Sequence, residues 1–331
     1  MEEADSHVQK LAPSGEVGGE FISIPLETLF LDTVTGFKIY VPGKSGAQPV
    51  LYRAENFQFT EEIRRRLLEH HVERVYIETS DQDAYAKYIE DNLDKIVADD
   101  TIESKKKAEI VYRSVTYLIE RLLDNPWMRD GIRRSEELVR NTVDLVLQDE
   151  AAFRNFLKVR SYDYYLYAHS VNVCVFSVAL AQRMELCKPS DLIVLGTGAL
   201  LHDIGMSRVD KSITLKRGPL NQEEWGIVKK HPAYGVEILQ EVGGVPEESY
   251  VVVSQHHERC DKSGYPQGLP AEKIHPYAKV SAIADVFDAM TSQRVYRDAV
   301  GTFTAFLSMK NEMRSGLDQT AFHEFVQLMA E

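Results

Sequence analysis

The sequence predicts a small α+β domain joined by a helical linker to a larger all-α domain. Three observations carry this. Short β-prone runs punctuated by turn residues are confined to the first hundred positions, helical periodicity dominates from about residue 151 onward, and no convincing strand repeat interleaves the later helices. A chain of 331 residues, 44% hydrophobic and 27% charged, is long enough for two domains with separate cores.

Residues 1–19 are polar, contain glycine and lack periodicity, and are expected to form a mobile tail. A small α+β regulatory domain is expected over 20–97. Its strands are "FISIPL", "FKIYVPG", "PVLYRAE" and "RVYIE", and its helices "TEEIRRRLLEHHV" and "DQDAYAKYIEDNLDKIV". His70 and His71 fall at the end of the first helix, where a cation meets the negative end of the dipole, so they read as caps rather than ligands. No site chemistry is visible here, and the domain is expected to regulate, or to bind a second copy or a signalling protein.

Residues 98–154 read as helix with one break at "DNPWMRDG", where Pro126 and Gly131 interrupt the pattern. This stretch is the expected linker, although it serves equally as the first helices of the next domain. Over 155–331 the helical segments are "YYLYAHSVNVCVFSVALAQRM", "PSDLIVLGTGALLHDIG", "NQEEWGIVKKHPAYGVEILQEV", "PEESYVVVSQHHE", "YAKVSAIADVFDAMTSQ" and "GTFTAFLSMKNEM".

Composition narrows the function. A formal charge of -13 argues against a surface that grips duplex nucleic acid through phosphates. No run approaches the roughly 18 apolar residues of a membrane span, and the N-terminus lacks a signal peptide's apolar stretch, so a cytoplasmic protein is expected. Cys174, Cys187 and Cys260 are too few and too scattered for a disulfide framework or a cysteine-based zinc knuckle.

The histidines are more informative. His169, His202, His231, His256 and His257, with Asp203 and Asp285, come from five separate helical segments and each interrupts an apolar face. Any one of them is explained by a satisfied core histidine or a cap. Together they make that explanation poor, because each buried imidazole or carboxylate needs its own partner. Five imidazoles and two carboxylates make a donor set for two first-row metals without thiolate, and two ions sharing a carboxylate would form a clamp suited to phosphoester hydrolysis.

The run "HDIG", the distant "HHERCDKSGYPQGLP" and then "IADVFDAMTSQRVYRDA" resemble the HD-GYP family of HD-domain phosphohydrolases, which open cyclic di-GMP. The resemblance covers roughly residues 155–330 and implies an all-α metal-dependent domain that yields pGpG or GMP. It implies that His169, His202 and Asp285 hold one ion, that His231, His256 and His257 hold the other, and that Asp203 bridges them. Iron or manganese is the metal it implies. A water activated between the ions would be the nucleophile, with no nucleophilic serine or cysteine. Arg294 and Arg297 match positions that approach ligand phosphates, a role suited to a planar guanidinium. Gly264, Tyr265 and Pro266 form the loop expected to shape the rim and orient the double histidine, with Tyr265 also offering a contact to substrate.

Two positions depart from the family pattern. Tyr165 stands where some members place a glutamate that helps hold a third metal, which argues for two ions. Met206 stands where members commonly carry lysine, in "HDIGMSRVDKS", leaving Arg208 or Lys211 as the nearby substitutes. The competing readings are a metallated cyclic-dinucleotide sensor without useful turnover and a di-iron oxygenase. A mixed substrate such as cyclic GMP-AMP is a further variant that no residue decides.

Overall fold

The computed structural model describes residues 20–43, 48–128, 130–148, 150–160, 167–216, 218–293 and 298–330. The chain divides into two compact units, residues 1–95 and 96–331. The expected tail, residues 1–19, lies outside the described residues.

In the first unit β1 (Phe21–Pro25), β3 (Ile39–Val41), β4 (Val50–Arg53) and β6 (Arg74–Glu78) form an antiparallel sheet in the order β1-β6-β3-β4, while β2 (Thr33–Val34) pairs with β5 (Gln58–Phe59). The register Ile22↔Ile77 and Ile24↔Val75 places four β-branched side chains in the core, as period-2 alternation requires. Helix α1 (Glu61–Glu69) ends before His70 and His71, both exposed, as the capping interpretation expects. The second expected helix is two: α2 (Gln82–Glu90) and α3 (Leu93–Ala98). Between them Asn92 turns its side-chain amide back onto the Tyr88 carbonyl 2.8 Å away.

The second unit is helical among its described residues. Its centre is α7 (Ala168–Arg183), nearly every residue of which is buried, packed between α8 (Pro189–Leu200) and α13 (Pro276–Thr291). Phe176 of α7, Phe287 of α13 and Phe325 of α15 (Gln319–Ala330) meet at ring-centroid distances of 5.1–5.8 Å. The stretch expected to act as a linker forms α4 (Ser104–Asp124), α5 (Gly131–Gln148) and α6 (Glu150–Arg160). These pack on one another, α5 against α8, and α4 and α6 against α7. The apolar stripes of α4 and α5 are thereby buried as part of this core, which is why they do not stand apart as a free connector.

The segment expected as one helix around His231 is broken. Helix α10 (Gln222–Val228) stops, and α11 (His231–Val242) begins with Pro232 in its first turn. Proline lacks the amide that a continuing helix needs but suits a helix start. The remaining helices are α9 (Lys211–Thr214), α12 (Ser249–Gln255) and α14 (Thr302–Glu312). No helix among the described residues is long and apolar enough to cross a membrane.

Candidate metal centre

Five segments bring the seven expected ligands together. His169 sits in the first turn of α7, and His202 and Asp203 follow the end of α8. His231 opens α11, His256 and His257 follow α12, and Asp285 projects from the buried face of α13.

Three of the imidazoles are fixed in the same way. Nδ1 of His202 lies 2.8 Å from the Ala199 carbonyl, Nδ1 of His231 lies 2.8 Å from the Val228 carbonyl, and Nδ1 of His256 lies 3.0 Å from the Val253 carbonyl. Each carbonyl belongs to the last turn of α8, α10 or α12, where the helix has no amide left to satisfy it. A carbonyl only accepts, so Nδ1 must donate, and in a neutral ring the lone pair is then left on Nε2. The three Nε2 atoms turn inward. That of His202 is buried without a hydrogen-bond partner among the described residues, and those of His231 and His256 stand 3.1 Å apart. Two nitrogens bound at right angles about 2.1 Å from one ion would be separated by about 3.0 Å. Convergent lone pairs at this spacing need a proton or a cation between them.

Asp203 links the two halves. Its Oδ1 is 3.2 Å from His231 Nε2 and 3.9 Å from His256 Nε2, while its Oδ2 is 3.4 Å from His202 Nε2 and 3.8 Å from His169 Nε2. Ligand atoms of Asp203, His231, His256 and His257 all lie within 4.8 Å of one another, and so do those of His169, His202 and Asp203. Asp285 spans the same gap from the other side, with Oδ1 3.2 Å from His169 Nε2 and Oδ2 3.5 Å from His257 Nδ1. The donor set is all nitrogen and oxygen, and it fits divalent metal.

Charge is arranged to suit this. Burial alone would push Asp203 and Asp285 toward the protonated form, but the surrounding imidazoles outweigh it and hold both well below the usual carboxylate range. Burial, reinforced by neighbouring imidazoles, lowers His256 far below its ordinary value, and burial takes His257 down to about 3. Both are neutral donors near pH 7. Burial opposes charge on His231 too, yet the adjacent Asp203 carboxylate outweighs it and raises that pKa.

Three supporting residues, Asp288, Asn172 and Glu258, escaped the sequence reading. Asp288, fully buried on α13, places Oδ2 2.7 Å from His169 Nδ1, and its Oδ1 accepts from Asn172 Nδ2 at 2.8 Å and Ser292 Oγ at 3.0 Å. Asn172 in turn accepts from the Tyr112 hydroxyl of α4 at 3.0 Å. The available signal was spacing: Asp288 and Asn172 each lie three positions beyond an expected ligand on the same helix. Glu258, also buried, accepts from the Gln267 and Leu269 amides at 2.7 and 2.8 Å, one to each oxygen.

Glu258 thereby folds the loop bearing Gly264, Tyr265 and Pro266 back on the double histidine. The Tyr265 amide donates to the His257 carbonyl at 3.1 Å, and its ring lies against the His257 imidazole with centroids 4.6 Å apart. A Cβ on Gly264 would fall 2.3 Å from the Arg259 amide nitrogen, so only glycine admits this approach. Burial, with Asp285 and Asp203 nearby, raises the Tyr265 pKa and keeps the phenol neutral. Gly205 of "HDIG" is equally constrained, since a Cβ there would sit 2.0 Å from the His231 carbonyl oxygen.

Arg294, Arg297 and Tyr165 lie outside the described residues. Met206 occupies a 3-10 turn, Ile204–Arg208. Both substitutes suggested for its missing charge are engaged elsewhere. Arg208 binds Glu237 and Glu241 beside Trp127, and exposed Lys211 pairs with Asp124 at 3.1 Å.

Residues 160–321 match the family model described as HD domain. The chain is 36% identical over 194 residues to the cyclic di-GMP phosphodiesterase PA4108 of Pseudomonas aeruginosa, covering 58% of this chain and 46% of that protein. It is 30% identical over 218 residues to the 3'3'-cGAMP-specific phosphodiesterase 3 of Vibrio cholerae, covering 62% and 46% respectively. The chain therefore spans less than half the length of these two curated relatives. Among solved structures, Bd1817, an HDG"Y"P protein from Bdellovibrio bacteriovorus, shares the fold with a TM-score of 0.66 at 22% identity, over 94% of this chain and 100% of that one. The His-Asp pair, the double histidine and the Gly-Tyr-Pro loop all lie within residues 160–321, the part of the chain that matches the HD domain model.

Proposed function

We propose that this chain is a metal-dependent phosphodiesterase that hydrolyses cyclic di-GMP to pGpG, and to GMP on further cleavage. The observation that carries the proposal is Asp203, which presents one oxygen to His231 and His256 and the other to His169 and His202. On this reading His169, His202 and Asp285 hold one ion, His231, His256 and His257 hold the other, and Asp203 is common to both. Iron or manganese suits such a nitrogen and oxygen donor set. When bound, two such ions supply positive charge to a phosphodiester and acidify a water.

The chain's own groups do the rest. Helix-end carbonyls keep three Nε2 lone pairs aimed inward, Asp288 orients His169, and Asp203 and Asp285 stay ionised. Tyr265 stays a neutral hydrogen-bond donor at the rim, while Arg294 and Arg297 are assigned to the phosphates by family likeness. The relatives are named for two substrates, cyclic di-GMP and 3'3'-cGAMP, and both belong in the assay. The first unit is proposed to regulate this site, through a second copy or a signalling partner, in the cytoplasm.

The test is anaerobic purification with metal analysis, followed by incubation with each dinucleotide and product chromatography. Asp203→Ala should lose metal and cleavage together, and unchanged cleavage would refute the proposal. A second reading, a metallated sensor that holds a cyclic dinucleotide without turnover, is favoured by one observation. Met206 supplies no charge, and Arg208 and Lys211 are tied to carboxylates elsewhere.

A further inference from the structure

Helix α10 buries none of its residues, yet it is held firmly. Asn221 and Glu224 form a reciprocal capping box at its start, Lys216 pairs with Glu224 at 2.6 Å, and its last carbonyl, that of Val228, fixes His231. A rigid surface helix is thus locked to the metal centre by its C-terminal end. On it stands Trp225, 45% exposed, with its ring centroid 6.4 Å from that of Tyr265, which in turn lies against His257. Beside it, just past the helix end, the Lys229 ammonium lies 5.8 Å from the indole centroid and 5.3 Å from that of Tyr265. Among the described residues no carboxylate lies within salt-bridge distance of that ammonium.

An indole that contributes nothing to the core and remains half in solvent is a large apolar surface left uncovered at the mouth of a metal centre. An ammonium held over two rings is paired weakly and is available to an anion. Stacking on an aromatic face and charge on the backbone are together how single nucleotides are held without reading their sequence.

We propose that Trp225 and Lys229 form a purine-nucleotide subsite beside the metal centre, the indole stacking on a base and the ammonium binding a phosphate oxygen of a cyclic dinucleotide. This rests on the phosphodiesterase reading and deepens it: Lys229 supplies, from just past the end of α10, a cation on the rim of a centre whose "HDIG" segment is followed by Met206. The base that stacks is set by surface area rather than by hydrogen bonds, so either purine is accepted.

The chain has two tryptophans, so Trp127→Phe leaves Trp225 as the sole indole reporter in the full-length, manganese-loaded protein. Cyclic di-GMP should quench its fluorescence saturably. By calorimetry Trp225→Leu should raise Kd roughly 5- to 100-fold with metal content unchanged, and Trp225→Phe should restore most of the loss. Lys229→Met should weaken binding roughly tenfold and flatten its salt dependence, whereas Lys229→Arg retains both. Binding or cleavage by the wild type, together with unaltered Kd in Trp225→Leu and Lys229→Met, would overturn the subsite and leave the phosphodiesterase reading standing. A wild type that neither binds nor cleaves a cyclic dinucleotide would remove that reading, and the subsite with it.

Discussion

Asp288→Asn should weaken one of the two proposed metals while leaving the fold intact. The substitution keeps shape and volume at a fully buried position, so packing is preserved. Its effect follows from donors and acceptors. The wild-type carboxylate places Oδ2 against His169 Nδ1 and accepts from Asn172 and Ser292 at Oδ1. An asparagine has one accepting oxygen and one donating amide. If the amide faces His169, the imidazole must move its proton to Nε2, the atom that faces Asp203 and Asp285 at 3.8 and 3.2 Å. If the amide faces Asn172, two donors oppose each other 2.8 Å apart in the core. Both arrangements penalise the tautomer that leaves the His169 Nε2 lone pair free. Loss of such an orienting partner typically lowers metal affinity 10- to 100-fold, or about 1.4–2.7 kcal/mol. Titrating chelator-treated protein with manganese by calorimetry should resolve one weakened and one unaltered equivalent, with a thermal midpoint near that of the wild type. Wild-type affinity for both equivalents would refute the assignment of Asp288 as the residue that orients His169.

Glu258→Gln leaves only one carbonyl oxygen for two backbone amides and should lower stability by about 1–3 kcal/mol in urea unfolding; an unchanged midpoint would show that the loop is held by other contacts. Gly205→Ala drives a methyl group to 2.0 Å from the His231 carbonyl oxygen, so it should cost at least about 1–3 kcal/mol and reduce bound metal, read by thermal unfolding with metal analysis. Met206→Lys should raise the hydrolysis rate if the chain is an enzyme lacking a charge, and should leave a pure sensor inactive. In the metal-free protein His256 and His257 have depressed pKa values, so the unfolded chain binds more protons as pH falls below about 6.5. Their contribution to stability is therefore lost on acidification from that point toward about pH 3, whereas His231, whose pKa is raised, contributes in the opposite sense and loses its part as pH rises. Urea unfolding from pH 8 to pH 4 should show the acid-side loss, and His257→Gln should reduce its slope.

The seven candidate ligands that the structure brings together stood out because most of them are polar residues set in apolar runs, and burying such residues singly is costly. What surrounds them was less legible, because their partners are fixed by tertiary approach. His169 and Asp288 are 119 positions apart, and Glu258 holds amides 9 and 11 residues along a loop that periodicity does not describe. The break before His231 had a signal in Pro232, but the polar, helix-compatible residues Lys229 and Lys230 concealed it. Strands in the first unit were visible from β-branched runs, whereas the two-residue pair β2 and β5 is too short to show any period. Arg208 and Lys211 looked like substitutes for a lysine at Met206 because they are near in sequence. In the structure Arg208, at the end of the 3-10 turn, pairs with Glu237 and Glu241, and Lys211, at the start of α9, pairs with Asp124.

The break at His231 also explains why the centre is built where helices end. An interior helical histidine has every nearby carbonyl occupied by the i to i+4 ladder, so its ring tautomer would be free. A histidine just past a helix end finds carbonyls with no amide partner, and its Nδ1 proton satisfies one of them. His202, His231 and His256 use this device after α8, α10 and α12. The same geometry brings the negative ends of three helices toward Asp203 and Asp285, an arrangement that repels itself unless positive charge lies between. His169 lies instead at the beginning of α7, where no such carbonyl exists, and its Nδ1 takes Asp288 as partner. Helix ends and one added carboxylate thus have the same effect, since each commits an imidazole proton away from the centre and leaves a lone pair facing it.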